Sequence, residues 1–134
     1  MITRIKTGSI WEDRIGYARA VVAGGWVHVA GTTGTDHATG AIPETVEDQC
    51  KLALDIIGAA LARAGAGFDH AVRVTYVLKN AADFERCWPI LSATFGANPP
   101  AAMMIEAQMI DPRHLIEIEL TAYVGQAPHS AKAP

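Results

Sequence analysis

Three carboxylates sit where a strand pattern leaves little room for them. The stretch PPAAMMIEAQMIDPRHLIEIEL, residues 99–120, reads as two apolar runs, yet it carries Glu106, Glu117 and Glu119. A buried, unpaired carboxylate is costly, so such a group faces water, finds a partner or serves a site. For Glu117 and Glu119 two readings stand side by side. In one they line a solvated strand face and pair across strands with Arg73 or Lys79. In the other a glutamate half-buried in a cleft, its pKa adjusted by its surroundings, holds or activates a water molecule. Tyr17 would add a phenolic hydroxyl to such a site. Spacing alone leaves both open.

Other chemistries find less support. His28, His37, His70, His114 and His129 are scattered without HxH, HExxH or Cys/His spacing, so no metal site is expected. Cys50 and Cys87 belong to no CxxC pair and fall in different predicted helices, which reads as two reduced thiols. GTTGTDHATG has glycines but no P-loop lysine, no GxGxxG joins a strand to a helix, and no serine sits in a GxSxG elbow.

The elements that must position these groups follow from periodicity and punctuation. Residues 2–5 alternate as a short first strand. Strands at 17–22 and 26–30 flank Gly24-Gly25, a pair that supplies the positive φ of a tight hairpin. A Gly/Thr/Asp-rich loop follows. A helix is expected over 46–64, with Thr45 as N-cap, Gly65 as terminator, and Val46, Cys50, Ala53, Ile57, Leu61 and Ala64 as its apolar stripe. The next strand, AVRVTYVLKN, puts Val72, Val74, Tyr76 and Leu78 on one face and Arg73, Thr75, Val77 and Lys79 on the other. A second helix over 83–95 contains Pro89, expected to break or kink it. Strands at 101–110 and 115–124 complete the chain.

The order β-β-β-α-β-α-β-β predicts an α+β domain: a two-layer sandwich with a mixed sheet and two helices on one face. In the last strand Ile116, Ile118, Leu120, Ala122 and Val124 should meet the helices. Val77, Met103, Ile105, Ala107 and Met109 give neighbouring strands apolar residues on both faces. A sheet apolar on both sides, with helices enough for one, implies that another subunit covers the second. Glu117 and Glu119 would then lie at or near that interface.

The chain's 134 residues, half of them hydrophobic and 19% charged, fit one domain over 1–125, with residues 126–134 as an unstructured tail. A net charge of -3 offers no broad attraction to nucleic acid or anionic membranes. MITRIKTGSIW has no continuous apolar core of a signal peptide, and no stretch approaches the ~20 apolar residues of a membrane span. A cytoplasmic protein is expected.

Several segments taken together resemble one family. IGYARAV, AGTTG, VEDQCKLALDIIGAALARAGAGFDHAVRVTYVLKNAADF and PPAAMMIEAQM…LIEIELTAY are similar, in order and spacing from about residue 16 to 123, to the RidA (YjgF/YER057c/UK114) family. The resemblance implies a fold like that of the bacillus-type chorismate mutase, assembled as a homotrimer with three clefts between adjacent subunits. It also implies hydrolysis, without a cofactor, of reactive enamines and imines released by pyridoxal-phosphate enzymes, giving 2-oxo acids and ammonia.

Carried over residue by residue, the family's early tyrosine falls on Tyr17 and its final-strand glutamate, which positions water, on Glu117. Those two are the implied catalytic residues. Gly31, Thr32, Trp88, Ala102 and Met104 are the implied substrate-binding positions. Three of these depart from the family pattern. Ala102 stands where an arginine grips the substrate carboxylate, Trp88 where an asparagine lines the pocket, and Met104 where a small polar or thiol residue sits. An alanine cannot replace a bidentate guanidinium contact, so a more apolar imine, enamine or related carbonyl compound is the implied substrate class. Arg19 is a candidate substitute charge, but alternation sets it opposite its immediate neighbours and it does not join the predicted site. Glu106 and Glu119 are left to interface pairing or a solvated edge. Two other functions remain in view: a trimer that only binds a small ligand, and the ribonuclease or translation-inhibitor role attached to some relatives, against which the acidic balance argues.

Overall fold

The structure, a computed structural model, describes residues 1–125; the tail expected over 126–134 lies outside the described residues. Six strands, β1 (Ile2–Ile5), β2 (Ala20–Ala23), β3 (Trp26–Thr33), β4 (Ala71–Leu78), β5 (Ala101–Glu106) and β6 (Ile116–Tyr123), form one sheet in the order β1-β2-β3-β6-β4-β5. All neighbours are antiparallel except β4 and β5. Helices α1 (Val46–Arg63) and α2 (Phe84–Phe95) complete the two-layer α+β arrangement.

Local chemistry accounts for most of these elements. The β2–β3 hairpin turns on Gly24 and Gly25, at φ 57° and 90°, values that cost a side-chain-bearing residue strain. The Thr45 hydroxyl accepts from the Asp48 backbone N–H at 3.2 Å, the N-cap bond the sequence anticipates, worth about 1 kcal/mol. Val46, Cys50, Ala53, Ile57 and Leu61 are all buried along one stripe of α1. They meet Ile116, Ile118, Leu120 and Ala122 of β6, also buried, so the alternation read from the last strand is correct. Truncating Ile57 or Leu61 to alanine belongs to the class of core changes costing about 2–5 kcal/mol.

Four local expectations fail. The strand expected over 17–22 is β2 over Ala20–Ala23, because the four residues of β1 pair only with those four, and Tyr17 is extended but outside the ladder. The strand predicted over 101–110 ends at Glu106, because β4 ends at Leu78 and offers no further partner after the Leu78 carbonyl accepts from Ala107 at 3.0 Å. Residues 107–110 leave the sheet, burying Met109 and exposing Ile110. Val72 is exposed rather than in the core, because the ladder to β6 slips between Ala71 and Arg73 and Ala71 is buried instead. Finally, α2 runs through Pro89 without a break; the residue is exposed, and the one backbone bond it forgoes faces solvent.

Candidate active site

A second slip in the sheet builds the site. Between Val29 and Thr32 the β3 ladder to β6 is irregular, and the surplus places Gly31 beside β6. A Cβ on Gly31 would overlap the Glu117 carboxylate, so only glycine lets that side chain lie against the bulge. Thr32 turns inward, fully buried, and its hydroxyl donates to the Ala30 carbonyl at 2.7 Å. The sheet thus carries Glu117 on the face opposite the helices, paired in register with Thr33 on one side and Val77 on the other.

Above this floor lies a cleft of about 1000 Å³. Tyr17, Arg19, Gly31 and Glu117 line its base; Trp11 and Ile15, from one wide helical turn, and Met109 and Ile110, from the segment that leaves β5, supply apolar walls. The wall before β2 is held by Glu12. This buried carboxylate accepts from the Thr7 backbone N–H (3.0 Å), the Thr7 hydroxyl (2.9 Å) and the Gly8 N–H (3.0 Å). Burial alone would raise its pKa, but these donors outweigh it and the net direction is downward.

The opposite wall is pinned by Gln49 of α1. Its amide donates to the Pro43 and Arg113 carbonyls (2.8 and 3.0 Å) and accepts from the Leu115 N–H at 2.8 Å. His114 and the Thr35 hydroxyl, 2.7 Å apart, close this side. Burial lowers the pKa of both His37 and His114, favouring neutral rings along the cleft wall.

Glu117 is half-buried and pairs with no cation in a salt bridge among the described residues. Burial raises its pKa; Arg19 pulls it back and the neighbouring Glu119 charge pushes it further up. The cross-strand partners of the solvated-face reading do not engage it. The Lys79 ammonium donates to the Pro112 carbonyl at 2.6 Å, and Arg73 stands opposite Thr121. Glu106, from the same opening stretch, accepts from the Ala81 N–H at 2.7 Å at the sheet edge, and Glu119 is exposed.

The predicted site residues divide into two groups. Tyr17, Gly31 and Glu117 share the cleft, with Thr32 behind it. Trp88, Ala102 and Met104 lie elsewhere: Ala102 and Met104 pair with Val74 and Tyr76 of β4, on the helix-side face, and Trp88 stacks edge-on against Phe84, 6.3 Å between centroids. No single chain can join the two groups, because they occupy opposite faces of the sheet. Sequence reasoning missed Arg19. Tyr17 and Arg19 are two residues apart in extended chain, a spacing that puts them on one side, and alternation counted from the tyrosine instead of from the adjacent alanines would have found it. His37, His114 and Trp11 come from loops and turns, where no periodic signal exists.

Comparisons with known proteins agree with this architecture. The family described as Endoribonuclease L-PSP matches residues 11–124. The chain is 34% identical to a RutC family protein of Pyrococcus abyssi over 80% of its own length and 85% of the relative's. It is 31% identical to the 2-iminobutanoate/2-iminopropanoate deaminase of Rattus norvegicus, over 81% of this chain and 80% of that one. A crystal structure from Mycobacterium tuberculosis, of a member of the YjgF/YER057c/UK114 family, superposes with a TM-score of 0.85 at 34% identity, over 92% of this chain and all of that one. The chain belongs to this family, known also as RidA, and shares its fold.

Proposed function

We propose that this family member is a hydrolase of a small, relatively apolar imine or enamine, releasing ammonia in clefts completed by adjacent subunits of a homotrimer. The observation that carries the reading is the desolvated Glu117 carboxylate, seated against Gly31 at the base of a cleft that also holds the Tyr17 hydroxyl. A carboxylate so placed is free to take a proton from water, since no cation pairs with it in a salt bridge among the described residues.

The chemistry balances with these groups. A water oxygen bonds to the C=N carbon as Glu117 takes one water proton and passes it to the nitrogen, beside which Tyr17 is the hydrogen-bond donor, giving the carbinolamine. The carbinolamine then collapses: its hydroxyl proton passes through Glu117 to the amine nitrogen as the C–N bond breaks, ammonia leaves, the oxygen becomes the new carbonyl and Glu117 is again a carboxylate. An enamine enters the same route after protonation at carbon. No cofactor is required by these steps.

Placing Ala102, Met104 and Trp88 in the site requires a second copy, whose helix-side edge would face the Glu117 cleft. The exposed Met103 and Ile105 on the open face of β5 support such an assembly. The deaminases among the relatives support the reaction class, and Ala102, in place of a carboxylate-gripping arginine, supports a substrate without need of that grip. The same replacement favours a second reading, a trimer that binds a small carbonyl or imine ligand without turnover. The nuclease activity in the family's description finds little support in a chain of net charge -3.

Ammonia release tests the reading. Imines generated in situ from alanine, leucine and an arylalkylamine by amine or amino-acid oxidases would be offered with the protein and without it. Faster hydrolysis of the carboxylate-free imine than of the 2-imino acids is the expected result. Acceleration of none, with ligand binding retained, would replace hydrolysis by the binding reading.

A further inference from the structure

Arg19 is only 3% exposed and forms no ion pair among the described residues. Burying a cation without a counter-charge is expensive, so its surroundings must hold it for a reason. Its Nη1 donates to the Gly31 carbonyl at 2.9 Å and to the Thr32 hydroxyl at 3.1 Å. Its Nη2 donates to the Tyr17 phenolic oxygen at 3.3 Å, and its guanidinium carbon lies 5.4 Å from the Tyr17 ring centroid. Its Nε is sealed from solvent without a partner.

Two consequences follow from this geometry. A phenolic oxygen that accepts from a guanidinium must direct its own hydrogen elsewhere, and the open side of Tyr17 is the cleft. Arg19 and Glu117 also converge on Gly31, one bonded to its carbonyl and the other lying against its Cα, so a fixed positive charge stands beside the desolvated carboxylate. We propose that Arg19 is the positioning residue of this cleft, setting the Tyr17 hydroxyl as a hydrogen-bond donor toward the ligand and holding Glu117 as a carboxylate.

With Nη1 committed twice, Nη2 engaged with Tyr17 and Nε sealed, Arg19 presents no fork to a ligand carboxylate. At its base the cleft therefore sets the Tyr17 donor beside the Glu117 carboxylate. That pair suits a C=N group, nitrogen toward Tyr17 and carbon toward a water on Glu117, with the remainder of the ligand apolar against Trp11, Ile15 and Ile110. The substrate class is an imine that carries no acid group at its reacting carbon. Other charges around the pair are Glu12 and His37 near Arg19, Glu119 along β6, and Asp111, Arg113 and His114 across the cleft. Asp111 and Arg113 neutralise each other at 2.7 Å, and Lys79 is engaged by Pro112.

This inference rests on the hydrolase reading of the site, but the titration at the centre of its test needs no turnover. The Glu117 carboxyl carbon would be followed by ¹³C NMR over a pH titration of the intact protein, its signal identified by loss in Glu117→Gln. Arg19→Gln should raise the Glu117 midpoint by about one pH unit or more. Arg19→Lys, which keeps the charge, should leave the midpoint near that of the wild type while lowering kcat on the best imine about tenfold, because one ammonium nitrogen cannot stand at both the Nη1 and Nη2 positions that hold Gly31 and Tyr17. An unchanged midpoint in folded Arg19→Gln would overturn the proposal. So would equal displacement in both variants, which marks lost packing instead of lost charge. Should Arg19→Gln not fold, a raised midpoint or an unchanged kcat in Arg19→Lys overturns it. A wild-type protein inert toward every imine defeats the hydrolase reading alone, and the titration still decides the role of Arg19.

Discussion

The Glu117 wall and the β5–α2 edge differ in how much of their chemistry is already in place. The first is polar and closed upon itself: Arg19, Thr32 and Glu12 are buried and hydrogen-bonded, Thr32 on the β3 bulge, Arg19 just before β2 and Glu12 in the turn ahead of it. The second is apolar and open. Every residue of β5 is exposed, Met103, Met104 and Ile105 each by more than two-fifths, and Trp88 stands half out of the surface. A wall that carries charge must be fixed before a ligand arrives, because reorganising it later would consume binding energy. A wall that supplies only shape and apolar contact can wait for a neighbour to cover it. We infer that the two are opposite walls of one inter-subunit cleft.

That comparison can be broken most severely at β5. Ile105→Lys places a charge in the middle of the open apolar face and should reduce light-scattering mass from three chains of 14.2 kDa to one, removing turnover as well. A wild-type protein that is itself monomeric would defeat the shared cleft outright. On the polar wall, Gly31→Ala drives a methyl into the Glu117 carboxylate. The displaced base should cost on the order of 100-fold in turnover, with assembly intact.

The apolar wall is sharpened by Ala102→Arg. Restoring the guanidinium should improve turnover of 2-imino acids by about one to two decades, the worth of one charge-assisted contact, unless Trp88 and Met104 hold it out of line. Equal rates in both proteins would mean that β5 does not reach the cleft or that Trp88 and Met104 hold the guanidinium out of line. A gentler effect concerns pH. Because burial raises the Glu117 pKa, activity should fall on acidification with a midpoint above the ordinary glutamate value of 4.5. The same shift means that the folded state binds a proton more tightly than the unfolded one, a contribution present at low pH and lost as pH rises through the folded midpoint. Glu117→Gln should therefore raise Tm at pH 7, with the gap closing under acid.

Much of this architecture is written locally. The Thr45 cap, the α1 stripe, the Gly24-Gly25 turn and the alternation of β6 each depend on residues close in sequence, so periodicity and turn chemistry reveal them. The parts that escaped depend on parity or on partners. A slip of one residue near Ala71 reverses which side chain enters the core, and nothing in AVRVTYVLKN marks it. Likewise β5 stops where β4 runs out, a limit set by a distant segment. Tyr17 and Glu117 were accessible through the family resemblance, whereas Arg19 required only a correct count along extended chain. The cleft's loop residues, His37 and His114 among them, carry no spacing signal at all.

The central claim is that Glu117, and not another carboxylate of the strand, handles the water. Glu119 shares its face two residues along and is exposed, which makes it the internal control. The decisive measurement is kcat of Glu117→Gln and Glu119→Gln on the best imine, each with its assembly checked by light scattering. Removing the general base should lower kcat by about 10²–10⁴-fold in Glu117→Gln, while Glu119→Gln stays within a few-fold of wild type. Equal, large losses in both intact variants, or no loss in either, would contradict the account.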